Sequence, residues 1–213
     1  MKLISKTAMM AAGLLASGAA MADFSANVGW MSEYHFRGIF QKNSSAYAGL
    51  DFEQNGFYVG TWAADVDNGP GADGLEVDGY FGYGGEIEGF TYGIGFTGYY
   101  YTGDFDDTYQ EINLSGGYEW LSVAVALGEY ENFDGPTQDY TFYSITGEYE
   151  GFYATYGGFS QDFDGSYLEL GYGWDFSGVD LGVMLILADD DLTGRTETDE
   201  SIVFTIGKGF DLD

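Results

Sequence analysis

The sequence predicts an all-β protein: a closed antiparallel transmembrane β-barrel of about twelve strands, with short periplasmic turns and long acidic extracellular loops. Its 213 residues include 35 Gly, 19 Tyr, 17 Phe and only two Pro, a composition that favours strands and tight turns. From Asp23 onward, apolar and polar side chains alternate with period two. Short and long connections between the alternating segments also alternate, which places them at opposite ends of an antiparallel sheet.

Residues 1–22 are predicted to be a secretory signal peptide, and residues 23–213 to be the barrel. Two lysines give this segment a positive start, an apolar stretch follows at 8–16, and Ala20-Met21-Ala22 fits an A-x-A cleavage site. The apolar stretch is shorter than the roughly 20 residues of a membrane-spanning helix, so cleavage is favoured over a membrane anchor. We therefore expect the protein to act outside the cytoplasm.

The first alternating segment predicts a strand of about 13 residues with one apolar and one polar face. The apolar face, expected to contact lipid, holds Phe24, Ala26, Val28, Trp30, Tyr34 and Phe36, and the polar face holds Ser25, Asn27, Gly29, Glu33, His35 and Arg37. The apolar face continues with Ala46, Ala48, Leu50 and Phe52, and the strong hairpin signal Asn55-Gly56 follows. The same pattern predicts further strands near 57–64, 75–83, 91–101, 109–118, 121–128, 140–149, 152–159, 167–174, 179–187 and 201–212.

The connections between these strands fall into two classes. Short ones are predicted at 54–56, 85–89, 119–120, 150–151 and 175–178. Longer ones, most of them rich in Asp, are predicted at 38–45, 65–74, 102–108, 129–139, 160–166 and 188–200. Both chain termini join the short side, as they do in bacterial outer-membrane barrels.

The main alternative is a soluble, secreted β-sandwich or lipocalin-like barrel whose apolar stripe forms a packed core. The predicted strands exceed the usual five or six residues of sandwich strands, and they match the 9–11 residues of tilted spanning strands. Aromatic residues also gather near strand ends, as in the girdles that contact lipid headgroups. Thr205, Gly207, Phe210 and Leu212 resemble the C-terminal sorting signal of outer-membrane barrels, which implies the barrel assembly machinery as a partner. The chain departs from that signal by ending in Asp213.

Composition excludes several classes of function. A formal charge of −29 leaves no basic footprint for nucleic acid. The absence of Cys removes thiol nucleophiles and thiolate metal ligands. With a single His and no G-x-S-x-G motif, the sequence predicts no enzyme, no metal site and no cofactor. The acidic runs at 104–107 and 189–191 are interpreted as solvated loops.

Several short motifs resemble the TorF-like porins, also called the Gcw_chp conserved family. They are the run Trp30-Met31-Ser32-Glu33-Tyr34-His35-Phe36-Arg37-Gly38, the element Gly56-Phe57-Tyr58-x-Gly60-x-Trp62, and the pairs Glu76-x-Asp78 and Tyr109-x-Glu111. The resemblance spans most of the chain after the signal peptide. It implies an outer-membrane channel and assigns no catalytic residues.

If the polar face lines the lumen, parity selects eight candidate lumen or constriction residues. One guanidinium is then expected to face several carboxylates at a similar depth near the outer end, where a ring of charges can select ions. A structural salt-bridge network is the alternative interpretation. A register that sets Arg37 beside Tyr47 would also pair two of the acidic candidates, Glu33 and Asp51. The candidates are Arg37, Glu33, Asp51, Glu76, Asp78, Glu111, Glu169 and His35.

The predicted function is passive diffusion of small hydrophilic solutes or ions across the outer membrane of a bacterium, with lipid around the barrel. Cations should be preferred, because Arg37 is the only basic residue that parity places inside. Lys42 and Arg195 are predicted to lie in outer loops, and Lys208 near the periplasmic rim.

Two other functions are open at this point. The first is a non-conducting structural or adhesive barrel that acts through its acidic loops, which a lumen filled by Tyr58, Trp62 and Tyr80 would favour. The second is a lipid-modifying barrel enzyme. It is disfavoured because His35 has inward parity, away from acyl chains.

Overall fold

A computed structural model of the protein describes residues 23–67, 69, 73–194 and 199–212. The predicted signal peptide lies outside the described residues. Within them the chain forms one short helix, α1 (Asp190–Thr193), and twelve strands: β1 (Asp23–Phe36), β2 (Ile39–Gln54), β3 (Phe57–Asp67), β4 (Asp73–Ile87), β5 (Phe90–Tyr101), β6 (Tyr109–Tyr118), β7 (Leu121–Tyr130), β8 (Gln138–Tyr149), β9 (Phe152–Gln161), β10 (Ser166–Asp175), β11 (Asp180–Ala188) and β12 (Asp199–Asp211). Among the described residues, no helix is long and apolar enough to cross a membrane.

The twelve strands form one closed antiparallel barrel. Each strand pairs with its neighbours in sequence, and β1 closes the sheet on β12 between Ser25↔Asp211 and Met31↔Thr205. Closure pairs the backbone groups that would otherwise stand at a sheet edge, which is what a sheet in lipid requires. The predicted fold class and strand number are therefore confirmed.

The two ends of the barrel differ in the length of their connections. At one end, which we call the turn end, four connections are two-residue turns and the fifth spans 176–179. Asn55 and Gly56 show the reason, because both adopt positive φ angles (53° and 83°), as a type I′ hairpin requires. The opposite end, which we call the loop end, carries the connections 68–72, 102–108, 131–137, 162–165 and 189–198.

One connection at the loop end is not long. The sequence predicted a loop at 38–45, and this prediction was wrong: Arg37 and Gly38 form a two-residue turn, and β2 begins at Ile39. Both turn residues have positive φ angles, 51° and 84°, so the chain reverses there. The interval predicted as a loop instead continues β2 to a total of 16 residues.

The apolar stripe of the strands faces outward. Large hydrophobic side chains in the middle of the strands are exposed all round the barrel, and Leu50, Phe81 and Ile94 are 55%, 52% and 53% exposed. A soluble sandwich or lipocalin-like barrel would bury this stripe, and an exposed belt of this extent needs a covering. The arrangement is the one that barrels adopt in a lipid bilayer.

Inside the barrel, tyrosines lie opposite glycines. Tyr153 faces Gly171 across the β9–β10 ladder, and a Cβ atom added to that glycine would come within 3.0 Å of the tyrosine ring. The rings therefore lie flat over the neighbouring strand. The same arrangement joins Tyr47 to Gly29, Tyr58 to Gly82, Tyr80 to Gly60, Tyr140 to Gly128 and Tyr167 to Gly157.

The packed interior occupies one half of the barrel. Among the described residues, the buried side chains lie in the loop-end half of their strands or at the Arg37 turn. They form two clusters, one around Tyr140 and Phe142 and the other around Tyr34 and Ile186. In the turn-end half, inward side chains such as Ser115 remain partly exposed. The lumen is thus filled near the loop end and accessible to water near the turn end.

Candidate functional site: the lumen at the loop end

The first hairpin leaves the barrel wall and enters the lumen. β1 pairs with β12 only as far as Met31, and β2 pairs with β3 only from Tyr47 onward. Residues 32–46 therefore have ladder partners only within their own hairpin. We call this segment the inner hairpin.

Hydrogen bonds that involve side chains, in place of ladder hydrogen bonds, connect the inner hairpin to β3 and β12. Asp65 on β3 accepts a hydrogen bond from the backbone N–H of Ala46 (2.6 Å) and one from Lys42 Nζ (2.5 Å). On the other side, the backbone N–H of Phe204 donates to Ser32 Oγ at 2.9 Å. Lys42 thus belongs to β2 and is fixed at the hairpin base, so its predicted place in an outer loop was wrong.

At the tip, Arg37 reaches the opposite wall of the barrel. Its guanidinium forms a bidentate pair with Glu111 on β6, with Nη1–Oε1 at 2.5 Å and Nη2–Oε2 at 2.9 Å. The hydroxyls of Tyr99 and Tyr140 donate to the same carboxylate at 2.9 and 2.8 Å. Glu111 accepts four hydrogen bonds and is 1% exposed, so its charge is fully compensated in a dry environment.

Two aromatic rings pack against the Arg37 guanidinium. Its Cζ atom lies 4.0 Å from the ring centroid of Phe142 and 4.7 Å from that of Phe36. Burial acts to lower the pKa of Arg37, but the nearby Glu111 carboxylate raises it, and the net direction is upward. Arg37 therefore stays charged at any working pH. Its Nε atom is buried without a hydrogen-bond partner.

Two further carboxylates face the inner hairpin from β4. Glu76 Oε1 accepts a hydrogen bond from the Tyr34 hydroxyl at 2.5 Å. Asp78 is 8% exposed, interacts electrostatically with Glu76, Glu111 and Arg37, and has one oxygen, Oδ1, without a hydrogen-bond partner. The structure thus brings together one guanidinium and three carboxylates at a similar depth.

The remaining candidates lie elsewhere in the barrel interior. Glu169 on β10 accepts a hydrogen bond from the Tyr153 hydroxyl at 2.5 Å. His35 and Glu33 lie together on the inner hairpin, with Nε2–Oε2 at 3.0 Å. Asp51 lies in the turn-end half, where the Tyr80 hydroxyl donates to it at 2.5 Å.

The predicted pairing of Glu33 with Asp51 was wrong. Glu33 pairs with Asn43, and Asp51 pairs with Ser25. The prediction placed Arg37 within the ladder, whereas Arg37 forms the turn itself. Relative to β1, the residues of β2 therefore lie closer to the turn end than predicted.

The sequence pattern also misplaced the end of β1. Tyr34 was assigned to the outward apolar stripe, but it is buried inside the barrel and donates to Glu76. The strand has already left the wall at this point, and a bulge between Tyr34 and His35 shifts its register. Near the tip of the inner hairpin, adjacent side chains such as Tyr34 and His35 are consequently both buried in the lumen, and alternation no longer separates lipid from water.

The loops add to the closure of this end. Asp106, in the connection after β5, accepts hydrogen bonds from the hydroxyls of Tyr109 (2.9 Å) and Tyr130 (2.7 Å). Phe163, in the connection after β9, stacks on the Tyr140 ring with centroids 4.7 Å apart.

Other charged residues that the sequence analysis considered lie outside this cluster. Lys208 lies near the turn end, with Nζ 5.4 Å from the Phe210 ring centroid, and Arg195 lies outside the described residues. The run 189–191, predicted as a solvated loop, begins α1, whose N-cap is Asp189. Among the described residues, no three or more acidic or histidine side chains are arranged to hold a metal ion.

A closed twelve-stranded barrel with an outward apolar belt and inward polar groups defines the class of outer-membrane-type β-barrels. The chain belongs to the family described as "Bacterial protein of unknown function (Gcw_chp)", whose model matches residues 15–208. The Gcw_chp resemblance is thereby confirmed, while the name TorF-like is not part of that description.

Two solved structures are reported as similar to this chain, and the first of them supports the fold alone. A chain solved under the heading "Unveiling the Mechanism Behind the in-meso Crystallization of Membrane Proteins" is 12% identical, with a TM-score of 0.53, over 90% of this chain and 84% of that one. A triple mutant of the Rh. blastica porin is 10% identical, with a TM-score of 0.38, over 90% and 99% of the two chains. A search of curated proteins finds no match.

Proposed function

We propose that the protein is an outer-membrane channel through which small hydrophilic solutes or ions diffuse, with a preference for cations. The observation that carries this proposal is the separation of the two faces of the barrel wall: an apolar belt outside, and carboxylates, hydroxyls and amides inside. In this orientation the loop end faces the exterior and the turn end faces the periplasm. Passage involves no covalent step.

The preference for cations follows from the charges inside the barrel. Arg37 is neutralised by its bidentate contact with Glu111. Asp51, Asp78 and Glu169 then contribute carboxylates to the lumen, and within the part of the chain that the structure describes none of them forms an ion pair with Lys or Arg. Acidic side chains in a narrow pore favour cations over anions.

The test is electrical. Purified protein is refolded into planar bilayers under a salt gradient, and the current and reversal potential are recorded. We expect discrete conductance steps with a reversal potential on the cation-selective side. Asp51→Asn together with Glu169→Gln should move that potential toward zero, because two lumen charges are lost. A reversal potential of the opposite sign would overturn the cation preference.

A second candidate is a non-conducting structural or adhesive barrel that acts through its acidic loops. One observation favours it: Tyr58, Trp62 and Tyr80 lie inside the barrel, and two aromatic-rich clusters fill its loop-end half. On this alternative, bilayers that contain the barrel carry no current under any condition. The channel proposal requires that the filled half be able to open.

A further inference from the structure

We propose that the inner hairpin, residues 32–46, is a gate, and that the Arg37–Glu111 ion pair is its latch. In the described conformation the hairpin closes the lumen, and withdrawal of its tip toward the loop end opens a route along the barrel axis. This inference rests on the proposed channel function and names how that channel is regulated. Three features of the structure carry it.

The first feature is that the hairpin can move without opening the wall. The β1–β12 ladder is complete from Ser25 to Met31, and the β2–β3 ladder is complete from Tyr47 to Gln54. Neither ladder includes any residue of the inner hairpin. The barrel stays closed whichever position the hairpin takes, so its base, next to Met31 and Tyr47, can act as a hinge.

The second feature is that the tip spans the lumen. In a twelve-stranded barrel the strands opposite β1 and β2 are β7 and β8. Arg37 contacts Glu111 on β6 and Phe142 on β8, which lie on that far wall. On another side, a Cβ atom added to Gly38 would lie within 3.0 Å of Tyr167 on β10 and of Leu192 in α1. A segment that reaches across the bore obstructs passage along it.

The third feature is that the closed arrangement leaves polar atoms unpaired. His35 Nδ1 and Arg37 Nε on the hairpin, and Asp78 Oδ1 facing it, are buried without hydrogen-bond partners. Each such atom carries an unrecovered desolvation cost, and water would satisfy it once the hairpin withdrew. That gain offsets part of the cost of breaking the latch. The closed and open positions are thus closer in free energy than the two Arg37–Glu111 hydrogen bonds alone suggest.

The main experiment removes the hairpin and keeps the barrel. Residues 32–44 are replaced by Asn-Gly, which joins the paired residues Met31 and Ser45 through a two-residue turn. The matched control replaces 131–137 by Asn-Gly between the paired residues Tyr130 and Gln138. That connection includes the exposed Phe133, so its removal should leave the lumen filled.

Two readouts are compared in these proteins. The first is the mean current per inserted barrel in planar bilayers, which we expect to rise about 100-fold when the hairpin is removed and to stay at the wild-type level in the control. The second is chemical access to a thiol introduced by Ser115→Cys, in a chain that has no cysteine of its own. Ser115 faces the lumen below the hairpin.

The thiol reagent, a membrane-impermeant maleimide, is added outside lipid vesicles. Barrels whose 131–137 connection is cut by external protease present their loop end to the reagent. In those barrels we expect the introduced thiol to be protected in the full-length protein and labelled in the trimmed one.

The latch is tested separately with Arg37→Met, which keeps a long apolar side chain against Phe142 and removes the charge. We expect open events to become about 100-fold more frequent, because a charged Glu111 is left buried without its partner. Lys208→Met also removes one positive charge, but from an exposed side chain outside the inner hairpin whose Nζ lies near the Phe210 ring, and it should change the frequency by less than about fivefold.

The outcomes separate the two proposals. Equal currents and equal labelling in full-length and trimmed barrels, with current present in both, would overturn the gate and leave the channel standing. Absence of current and of labelling in both proteins would overturn the channel, and the gate with it. If labelling rises on trimming but Arg37→Met leaves the frequency of open events unchanged, the gate stands and its latch is overturned.

Discussion

Two adjacent residues in the middle of β6 test which face of the barrel contacts lipid. Leu114 points outward between Ile94 and Val125, and Ser115 points inward between Gly93 and Ala124. An arginine on the lipid face near the bilayer midplane costs roughly 2–4 kcal/mol of folding free energy. Leu114→Arg should therefore lower stability by about 3 kcal/mol.

Ser115→Arg is the matched control, since the same side chain enters the same strand on the opposite face. Its cross-strand neighbours, Gly93 and Ala124, are small, and the turn-end half of the lumen is accessible to water. We expect a loss of less than about 1 kcal/mol, in the range of ordinary surface substitutions. The assay is guanidinium titration of folding into lipid vesicles. Equal losses for the two variants, or a larger loss for Ser115→Arg, would refute the assignment of the faces.

Two further predictions concern the interior and a loop. Gly171→Ala should destabilise the barrel by about 1–3 kcal/mol in the same titration, because the added methyl group meets the ring of Tyr153. Gly209→Ala, where a Cβ atom meets nothing within 4 Å, should be nearly neutral, and comparable losses would contradict the packing argument. Asp106→Ala removes the acceptor of two tyrosine hydrogen bonds and should speed proteolytic cleavage of the loop after β5. Asp104→Asn is the control and should leave the cleavage rate unchanged, because Asn suits the positive φ angle of 57° at that position.

The fold was predictable because the information that specifies it is local. Alternation along a strand reveals two faces, and turn signals such as Asn55-Gly56 fix where strands end, so strand number and closure followed from counting. The outward assignment of Phe24, Val28 and Leu50 was confirmed, since these residues belong to strands that stay in the wall.

The inner hairpin escaped the sequence pattern for a physical reason. Arg37-Gly38 lacks the usual Asn or Asp of a type I′ turn, so nothing local marked a reversal there. Once that turn was missed, the register of Glu33 and Asp51 was wrong as well. The Arg37–Glu111 contact joins residues 74 positions apart across the barrel, and parity could only place both inside, at a similar depth.

The tyrosines that lie opposite glycines also set the width of the bore. A ring laid sideways along the wall narrows the passage by its thickness, whereas a ring forced upright would narrow it by its full length. A glycine such as Gly82 therefore affects the width of the bore indirectly. Because it has no side chain, the ring of Tyr58 on the neighbouring strand can lie flat over it. Relatives with bulkier residues at these glycine positions should have their tyrosines replaced by smaller side chains, or a constricted passage at that level.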